Sequence, residues 1–202
     1  CWPELNSICV IPNPIITQTE RFSTCSAHQV IAAGRYVPQK GFDLLIEAWS
    51  IISKKYPTWT LRIYGDGVLR DSFQQRIDEL AMTDSCILEH TVSNIVDKYC
   101  ESSIFVLSSR FEGFGMVITE AMACGVPPVS FDCPCGPKDI IDDGKDGLLA
   151  KNGNIEDLVK KISYLIENED IRINMGRQAL VSAQRFQIER IIKQWIKMFE
   201  EL

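Results

Sequence analysis

The sequence predicts an α/β fold, a Rossmann-like doubly wound parallel sheet with extra helices at its C-terminal end. Short apolar runs that end at glycine or a polar residue alternate with segments whose apolar residues recur every three or four positions. This alternation begins at residue 29, and from residue 154 the pattern is purely helical. Strands that alternate with helices form parallel sheets covered by helices on both faces.

The elements follow in order along the chain. The first strand is predicted at HQVIAAG, and the helix after it ends before Pro57. That helix has one apolar face, with members spaced by three and four: Phe42, Leu45, Trp49, Ile52 and Tyr56. Later strands are predicted at TLRIYG, CILEH, SIFVLSS, PPVSFD and GLLA. Helices are predicted at VLRDSFQQRIDELA, at IVDKYCES and after a glycine pair, with a short segment at GPKDIIDDG.

The C-terminal region is predicted to be helical throughout. Asn154 with Asp157 resembles a capping box at the start of a helix. A wide apolar stripe follows: Ile155, Leu158, Val159, Ile162, Leu165 and Ile166. The last segment, IERIIKQWIKMFEEL, has the pattern of an amphipathic helix.

The predicted organisation has three parts. Residues 1–28 contain CVIPNPIITQTE, which has two prolines and no period and is typical of an extended linker. Residues 29–186 form the Rossmann-like domain, and residues 187–202 form a C-terminal helix. The chain does not begin with Met and shows no signal peptide, so we expect a fragment of a longer protein.

Composition limits the classes of partner. A net charge of −6 argues against sequence-independent nucleic-acid binding, and no apolar run is long enough to span a membrane. Eight cysteines occur without a C-x-x-C pair, and only two histidines could assist them, so we expect reduced thiols rather than a zinc site. Reduced cysteines fit a cytosolic compartment.

Candidate site residues fall where strands should end and helices begin. These segments are Gly34-Arg35 with Lys40-Gly41, Gly65-Asp66-Gly67, His90 to Asn94, and Arg110 to Gly115. Loops at the carboxyl edge of a doubly wound sheet converge, so we expect the four segments to share a crevice.

The residue types in this crevice favour a nucleotide sugar. Arg35 and Lys40 could neutralise a phosphate or diphosphate, and the amides after Glu112 would add donors at the positive end of a helix. Carboxylates are poor partners for phosphate but good acceptors for sugar hydroxyls, which suits Glu112 and Glu120.

Taken singly, each residue also has a structural interpretation. Gly65 could belong to a tight turn, Glu112 could cap a helix, Glu120 could be a surface glutamate, and His90 could be half-buried.

Taken together, the motifs resemble one family. The order is GR…KG, then G-D-G, then S-x-x-E-G-F-G-x-x-x-x-E-A-M-A-C-G-x-P, then G-P…I-I-D-D-G…G-L-L. The region 8–200 resembles the C-terminal, donor-binding domain of a family 4 retaining glycosyltransferase of the GT-B type. The E-x7-E pattern of Glu112 and Glu120 is the specific core of this resemblance, and VIPNPI resembles the linker between the two GT-B halves.

The resemblance implies a role for each candidate residue. Arg35 and Lys40 would grip the donor diphosphate and Glu112 would contact the donor sugar, so these three are the catalytic candidates. Glu120 would bind the ribose hydroxyls. The other donor-binding candidates would line the cleft, border the base or supply main-chain amides: Gly34, Gly65, His90, Thr91, Val92, Gly113, Phe114, Gly115, Met116 and Val117.

The resemblance also implies the reaction. The enzyme would transfer a sugar from a nucleoside-diphosphate sugar, with a UDP-sugar favoured, to a saccharide or lipid-linked acceptor, with retention of configuration and without a metal or other cofactor. The acceptor would be bound by an absent N-terminal domain, so the fragment alone would be inactive. SFDCPCGPKDII resembles enzymes of bacterial surface polysaccharide synthesis, which implies a cytoplasmic location, with the full-length protein at the inner face of the membrane.

Two alternatives remain at this point. One keeps the GT-B fold with other chemistry, as a phosphorylase or as a nucleotide-sugar epimerase, which two histidines in the whole chain make less suitable. The other is a non-catalytic nucleotide-binding module, which would leave Arg35, Lys40, Glu112 and Glu120 together by chance.

Overall fold

The sheet is parallel and six-stranded, as the sequence predicts. The computed structural model describes residues 9–16 and 19–201. The strands are β1 (Gln29–Ala33), β2 (Thr60–Tyr64), β3 (Cys86–Glu89), β4 (Ile104–Leu107), β5 (Pro128–Phe131) and β6 (Leu148–Ala150). Their spatial order is β3-β2-β1-β4-β5-β6, and every neighbouring pair is parallel. The predicted fold class is confirmed.

Helices follow the strands and cover both faces of the sheet. They are α1 (Phe42–Lys55), α2 (Arg70–Glu79), α3 (Ile95–Cys100), α4 (Met116–Ala123), α5 (Pro137–Ile140), α6 (Ile155–Glu167), α7 (Glu169–Ala183) and α8 (Ile188–Glu200). Short 3-10 turns at Pro38–Lys40 and Gln184–Phe186 precede α1 and follow α7.

The core consists of two apolar clusters, one on each face of the sheet. In β1, Val30 and Ala32 belong to one cluster, and Ile31 and Ala33 belong to the other. The first cluster is closed by α1, α2 and α6, and the second by α3, α4, α5 and α7. The sequence of a strand covered by helices on both faces is a continuous apolar run. Such strands could therefore be predicted although apolar and polar residues do not alternate within them.

Local sequence signals set two of the helices. The predicted apolar face of α1 is buried: the exposed fractions of Phe42, Leu45, Trp49 and Ile52 are 2%, 0%, 0% and 1%. At α6, the Asn154 side chain accepts a hydrogen bond from the Asp157 amide at 2.9 Å, as an N-cap should. The Asp157 carboxylate accepts from the Lys151 amide at 2.8 Å instead of completing the capping box.

The segment before β1 packs along the sheet domain where it is described. The Ile15 amide donates to the Phe186 carbonyl, and the Ser23 amide donates to the Cys124 carbonyl, both at 2.8 Å. Cys25 is 2% exposed. The domain boundaries at residues 28 and 186 stay predictions, and residues 1–8 lie outside the described part of the chain.

The last helix contacts the domain at its first turn. Ile191 is its one buried residue, whereas Ile192, Trp195, Ile196 and Phe199 are exposed on the turns that follow. Within residues 9–16 and 19–201, no helix combines the length and the apolar character that a membrane crossing requires. The described cysteines, 9, 25, 86, 100, 124, 133 and 135, are all free thiols.

Candidate functional site

A cleft of about 270 Å³ opens at the carboxyl edge of the sheet, beside the point where the strand order reverses between β1 and β4. Ligands of open α/β sheets bind at this position. The cleft is lined by the ends of β1, β2 and β3 and by α3 and α4: Ala33, Gly34, Arg35, Tyr64, Gly65, Asp66, Thr91, Val92, Ile95, Tyr99, Val117 and Glu120.

Many of the predicted site residues meet here. Gly34, Arg35, Gly65, Thr91, Val92, Val117 and Glu120 all line the cleft. Because they come from four separate loops and helices, their convergence is a property of the fold and not of any one motif.

Lys40 and Glu112 form an ion pair next to this cleft. The Nζ atom of Lys40 lies 2.7 Å from Oε1 of Glu112, and the two side chains are 14% and 8% exposed. The aliphatic part of Lys40 crosses Gly34, since a Cβ at that glycine would lie 3.3 Å from the Cδ and Cε atoms of Lys40. Gly34 therefore leaves the space that Lys40 uses.

A buried hydroxyl also holds Glu112. Ser109 is 0% exposed, and its Oγ donates to the same Oε1 atom at 2.6 Å. Among the described residues, Oε2 of Glu112 has no hydrogen-bond partner. One oxygen of this carboxylate is thus engaged twice, while the other can accept hydrogen bonds from a ligand.

Arg35 lines the cleft without a side-chain partner among the described residues. Its side chain is exposed and forms no ion pair or hydrogen bond with the part of the chain that is described. A guanidinium presents its donors in a planar fork that matches the oxygens of a phosphate. Arg35 lines the cleft and can meet an anion without giving up an existing contact.

Unpaired main-chain donors lie at the start of α4. Within the described residues, no acceptor is found for the N–H groups of residues 113–117, and the first amide with a partner is that of Ile118, which donates to Gly115 at 2.9 Å. Free amides at a helix N-terminus carry a partial positive charge and attract anions.

The side chains of residues 113–116 do not line the cleft. The Phe114 ring packs edge-on against Phe186, with centroids 5.8 Å apart. Met116 is 38% exposed, and no atom lies within 4 Å of the position that a Cβ on Gly113 would take. Gly113, Phe114, Gly115 and Met116 can therefore serve a ligand through their amides, which is the role the sequence predicts for them.

Close backbone packing fixes the loops that carry these groups. Gly41 has φ 61°, and a Cβ there would lie 2.0 Å from the Ser108 carbonyl oxygen. Gly136 has φ 99°, and a Cβ there would lie 1.8 Å from the Phe114 carbonyl oxygen. Only glycine fits such positions. Arg110 adds a two-pronged ion pair to Asp43, with N–O distances of 2.9 and 2.6 Å.

Glu120 lies in the cleft as a half-buried carboxylate. Burial raises the pKa of Glu120 above its ordinary value. The Tyr99 hydroxyl lies 3.4 Å from Oε2 of Glu120, a long contact that leaves the carboxylate free to accept stronger hydrogen bonds.

Asp66 joins two of the loops around the cleft. Its Oδ1 lies 2.7 Å from Nδ1 of His90, and its Oδ2 accepts from both the amide and the hydroxyl of Thr91 at 2.9 Å. These contacts, led by the Thr91 amide, lower the pKa of Asp66 to about 2. His90 itself is 73% exposed and lies at the rim, outside the lining of the cleft.

The family assignment follows from the whole domain. A family model described as "Glycosyl transferases group 1" matches residues 25–182, which include every strand and the entire cleft. The chain belongs to the group 1 glycosyl transferases.

Curated relatives and solved structures agree with this family. The chain is 31% identical to an uncharacterized glycosyltransferase of Haemophilus influenzae, over 96% of this chain and 56% of that protein. It is 31% identical to a poly(ribitol-phosphate) alpha-N-acetylglucosaminyltransferase of Staphylococcus aureus, over 82% of this chain and 34% of that protein. A Staphylococcus aureus TarM variant, solved with fondaparinux, alpha-GlcNAc-glycerol and UDP, superposes with a TM-score of 0.87 at 29% identity. That match covers 97% of this chain and 40% of the TarM chain. The chain therefore spans about half or less of the length of these proteins.

Sequence reasoning missed several residues of this glycosyl transferase domain. Tyr64, Ile95 and Tyr99 line the cleft, but in the sequence they stand only as members of the predicted strand TLRIYG and the predicted helix IVDKYCES. Asp66 and Ser109 did carry a signal, because one stands inside the G-D-G turn and the other opens the S-x-x-E motif. What the sequence could not show is which atoms these two polar side chains contact.

Proposed function

We propose that this domain binds the nucleotide-sugar donor of a retaining glycosyltransferase, as the C-terminal half of a family 4 GT-B enzyme. One observation carries the proposal. An unpaired cation, Arg35, and a carboxylate, Glu120, line one cleft at the strand ends, and the Lys40–Glu112 pair and the free amides at the start of α4 lie beside it. These are the kinds of group that a sugar–diphosphate–nucleoside needs.

Each part of the donor has a place in this arrangement. The Glu120 carboxylate accepts hydrogen bonds from the ribose hydroxyls, and the loop of Thr91 and Val92 borders the base. The diphosphate lies against Arg35, Lys40 and the amides of residues 113–117. The free Oε2 of Glu112 accepts from hydroxyls of the transferred sugar.

The same groups provide the chemistry. When the bond between the sugar and the diphosphate breaks, negative charge develops on the leaving phosphate. The cations and the fixed amide dipoles stabilise that charge, which is how such sites lower a barrier. We propose that these groups act without a metal ion and that the anomeric configuration is retained.

In this proposal the acceptor molecule binds to the part of the enzyme that lies outside this chain. The relatives named above are longer than this chain, and one is named for transfer of N-acetylglucosamine to poly(ribitol-phosphate). We propose a saccharide or lipid-linked acceptor, bound by an N-terminal half without which this domain does not turn over. The free thiols support a cytoplasmic location, and a role in surface polysaccharide synthesis at the inner membrane face belongs to the same proposal.

A ligand panel tests the donor proposal. Isothermal titration of the 202-residue chain with UDP, UDP-glucose, UDP-N-acetylglucosamine, GDP, ADP and FMN should show binding of a nucleoside diphosphate and a further gain from a sugar. Binding of FMN alone, or of none of the six, contradicts the proposal. Adding EDTA should leave the affinity unchanged, and a loss restored by Mg²⁺ or Mn²⁺ would refute the metal-free mechanism.

A further inference from the structure

Two side chains donate hydrogen bonds to the Glu112 carboxylate, and a bound nucleotide sugar would affect these two bonds differently. Lys40 and Ser109 both donate to Oε1, at 2.7 and 2.6 Å. Lys40 is also one of the cations proposed to grip the donor diphosphate. Because a diphosphate carries more negative charge than one carboxylate, a bound donor would draw Lys40 toward the diphosphate and weaken its bond to Glu112.

Loss of Lys40 would leave Glu112 free to move unless something else holds it. Glu112 lies in a loop, and its main chain is anchored through the amide, which donates to the Pro134 carbonyl at 3.2 Å. That bond fixes the backbone but not the side-chain torsions. Among the described residues, Ser109 is the one remaining side chain that contacts the carboxylate.

Ser109 is suited to this task by its surroundings. Ser109 is fully buried, whereas Lys40 is 14% exposed. The Ser109 hydroxyl therefore does not exchange Glu112 for a water molecule. Ser109 lies two residues after the end of β4 and next to Ser108, whose hydroxyl donates to the Lys40 carbonyl at 3.0 Å. Ser109 is thus held close to the end of a buried strand.

We propose that Ser109 is the positioning residue for Glu112: its hydroxyl keeps the free carboxylate oxygen directed at the donor sugar while Lys40 turns to the diphosphate. This inference rests on the proposed function, because it presumes a sugar diphosphate in the cleft. It adds a residue to which no role in donor binding was assigned.

The test measures the gain that a sugar adds to UDP binding. Dissociation constants for UDP, UDP-glucose and UDP-N-acetylglucosamine are measured by calorimetry for the wild type and Ser109→Ala. The ratio of the UDP constant to that of the better-binding UDP-sugar should fall by about five- to tenfold in the variant, the factor that one hydrogen bond contributes. Affinity for UDP alone should stay within about twofold, because Arg35 and the amides are unchanged.

Controls separate positioning from a general loss of structure. Ser130→Ala removes another fully buried serine hydroxyl, which donates to the Phe131 carbonyl at 2.8 Å on β5, and it should not change the ratio. A melting-temperature loss in Ser109→Ala no larger than that in Ser130→Ala excludes unfolding. Combining Ser109→Ala with Glu112→Gln should lower the ratio no further than Glu112→Gln alone, because Ser109 acts through Glu112.

The outcomes distinguish this inference from the function on which it rests. Failure of wild-type protein to bind UDP or either UDP-sugar contradicts the proposed function. Binding of UDP with no gain from either sugar overturns the inference, since Glu112 then holds no sugar. An unchanged ratio in Ser109→Ala, or additive effects in the double variant, overturns it as well while leaving the donor site intact.

Discussion

The ammonium of Lys40 lies 2.7 Å from Oε1 of Glu112, and both side chains are largely buried. Sequence reasoning placed these residues on different parts of the donor, the diphosphate and the sugar. In the structure they are each other's partner. The site without a ligand is therefore internally neutralised at this point, and in the proposed donor site an incoming diphosphate would compete with Glu112 for Lys40.

This competition predicts that Glu112→Gln strengthens UDP binding. The amide leaves the shape of the side chain intact but removes the charge that holds Lys40, so UDP should bind about three- to tenfold more tightly. Calorimetric titration checks this. Glu47→Gln is the matched control, since it removes a carboxylate paired with Arg76 at 2.6 Å on the α1–α2 surface. Equal or weaker UDP binding by Glu112→Gln would falsify the competition.

The two cations should respond differently to removal. Arg35→Ala should weaken UDP binding by about tenfold with an unchanged melting temperature, because Arg35 has no partner among the described residues to leave behind. Arg177→Ala, an exposed arginine beside a separate cavity, is the control.

Lys40→Ala should weaken UDP binding and also lower the free energy of unfolding. The buried Glu112 carboxylate keeps only Ser109, and we expect a loss of about 2–3 kcal/mol, below that for a fully buried pair that loses its sole partner. Urea unfolding of both variants measures the difference. Equal stability of Arg35→Ala and Lys40→Ala would contradict the structural role of Lys40.

Glu120→Gln should stabilise the domain while it weakens nucleotide binding. Burial raises the pKa of Glu120, so the charged form costs stability that is regained as the carboxyl becomes protonated. The stabilisation that protonated Glu120 gives the folded domain is complete below the pKa of Glu120 in the unfolded state. It is lost as the pH rises through the raised pKa of Glu120 in the folded state. The variant should therefore melt at a higher temperature than wild type at pH 7.5, and the curves should converge near pH 4.

The same pKa shift predicts pH-dependent binding. As the pH is lowered, the UDP affinity of the wild type should begin to fall at a pH above the ordinary pKa range of carboxyl groups. The reason is that a protonated Glu120 accepts hydrogen bonds from hydroxyls less well. Glu120→Gln should bind UDP more weakly and without this pH dependence, whereas the exposed Glu200→Gln should behave as wild type. Parallel pH profiles for Glu120→Gln and wild type would exclude Glu120 from the nucleotide site.

Asp66→Ala should weaken recognition of the base but not of the phosphates. The carboxylate holds His90 and Thr91, and Thr91 lies beside Val92 in the lining of the cleft. UDP affinity should fall by about fivefold or more, while inorganic pyrophosphate affinity should not change. Asp84→Ala, in the exposed turn before β3, is the control. Equal losses for UDP and pyrophosphate would show that Asp66 supports the whole site and not the base loop.

The fold could be predicted from the sequence because strands and helices differ in the pattern of their apolar residues. β1 is buried on both sides, so its residues form an unbroken apolar run, and α1 is buried on one side, so its apolar residues recur every three or four positions. The convergence of Arg35, Gly65, Thr91 and Glu120 followed from the topology of a parallel sheet alone.

Pairings within the site could not be read in the same way. The pairing of Lys40 with Glu112 depends on where a flexible side chain lies, and the sequence does not show that the Lys40 stem crosses Gly34 or that Ser109 holds the same carboxylate oxygen. Likewise, the Phe114 ring packs against Phe186 and the Phe114 carbonyl lies against Gly136, and no residue pattern around Phe114 reveals either contact.

The two walls of the cleft differ in how freely they can change. Around the start of α4, the Phe114 carbonyl is wedged against Gly136 and the Ser108 carbonyl against Gly41, so a substitution at either glycine displaces main chain. The opposite wall, at Thr91, is tied to the body by a single carboxylate side chain. In the proposed donor site, substitutions of a few side chains near Asp66 would therefore alter the base preference without displacing the main chain at the diphosphate end. The domain would then be a practical starting point for directed evolution of donor choice.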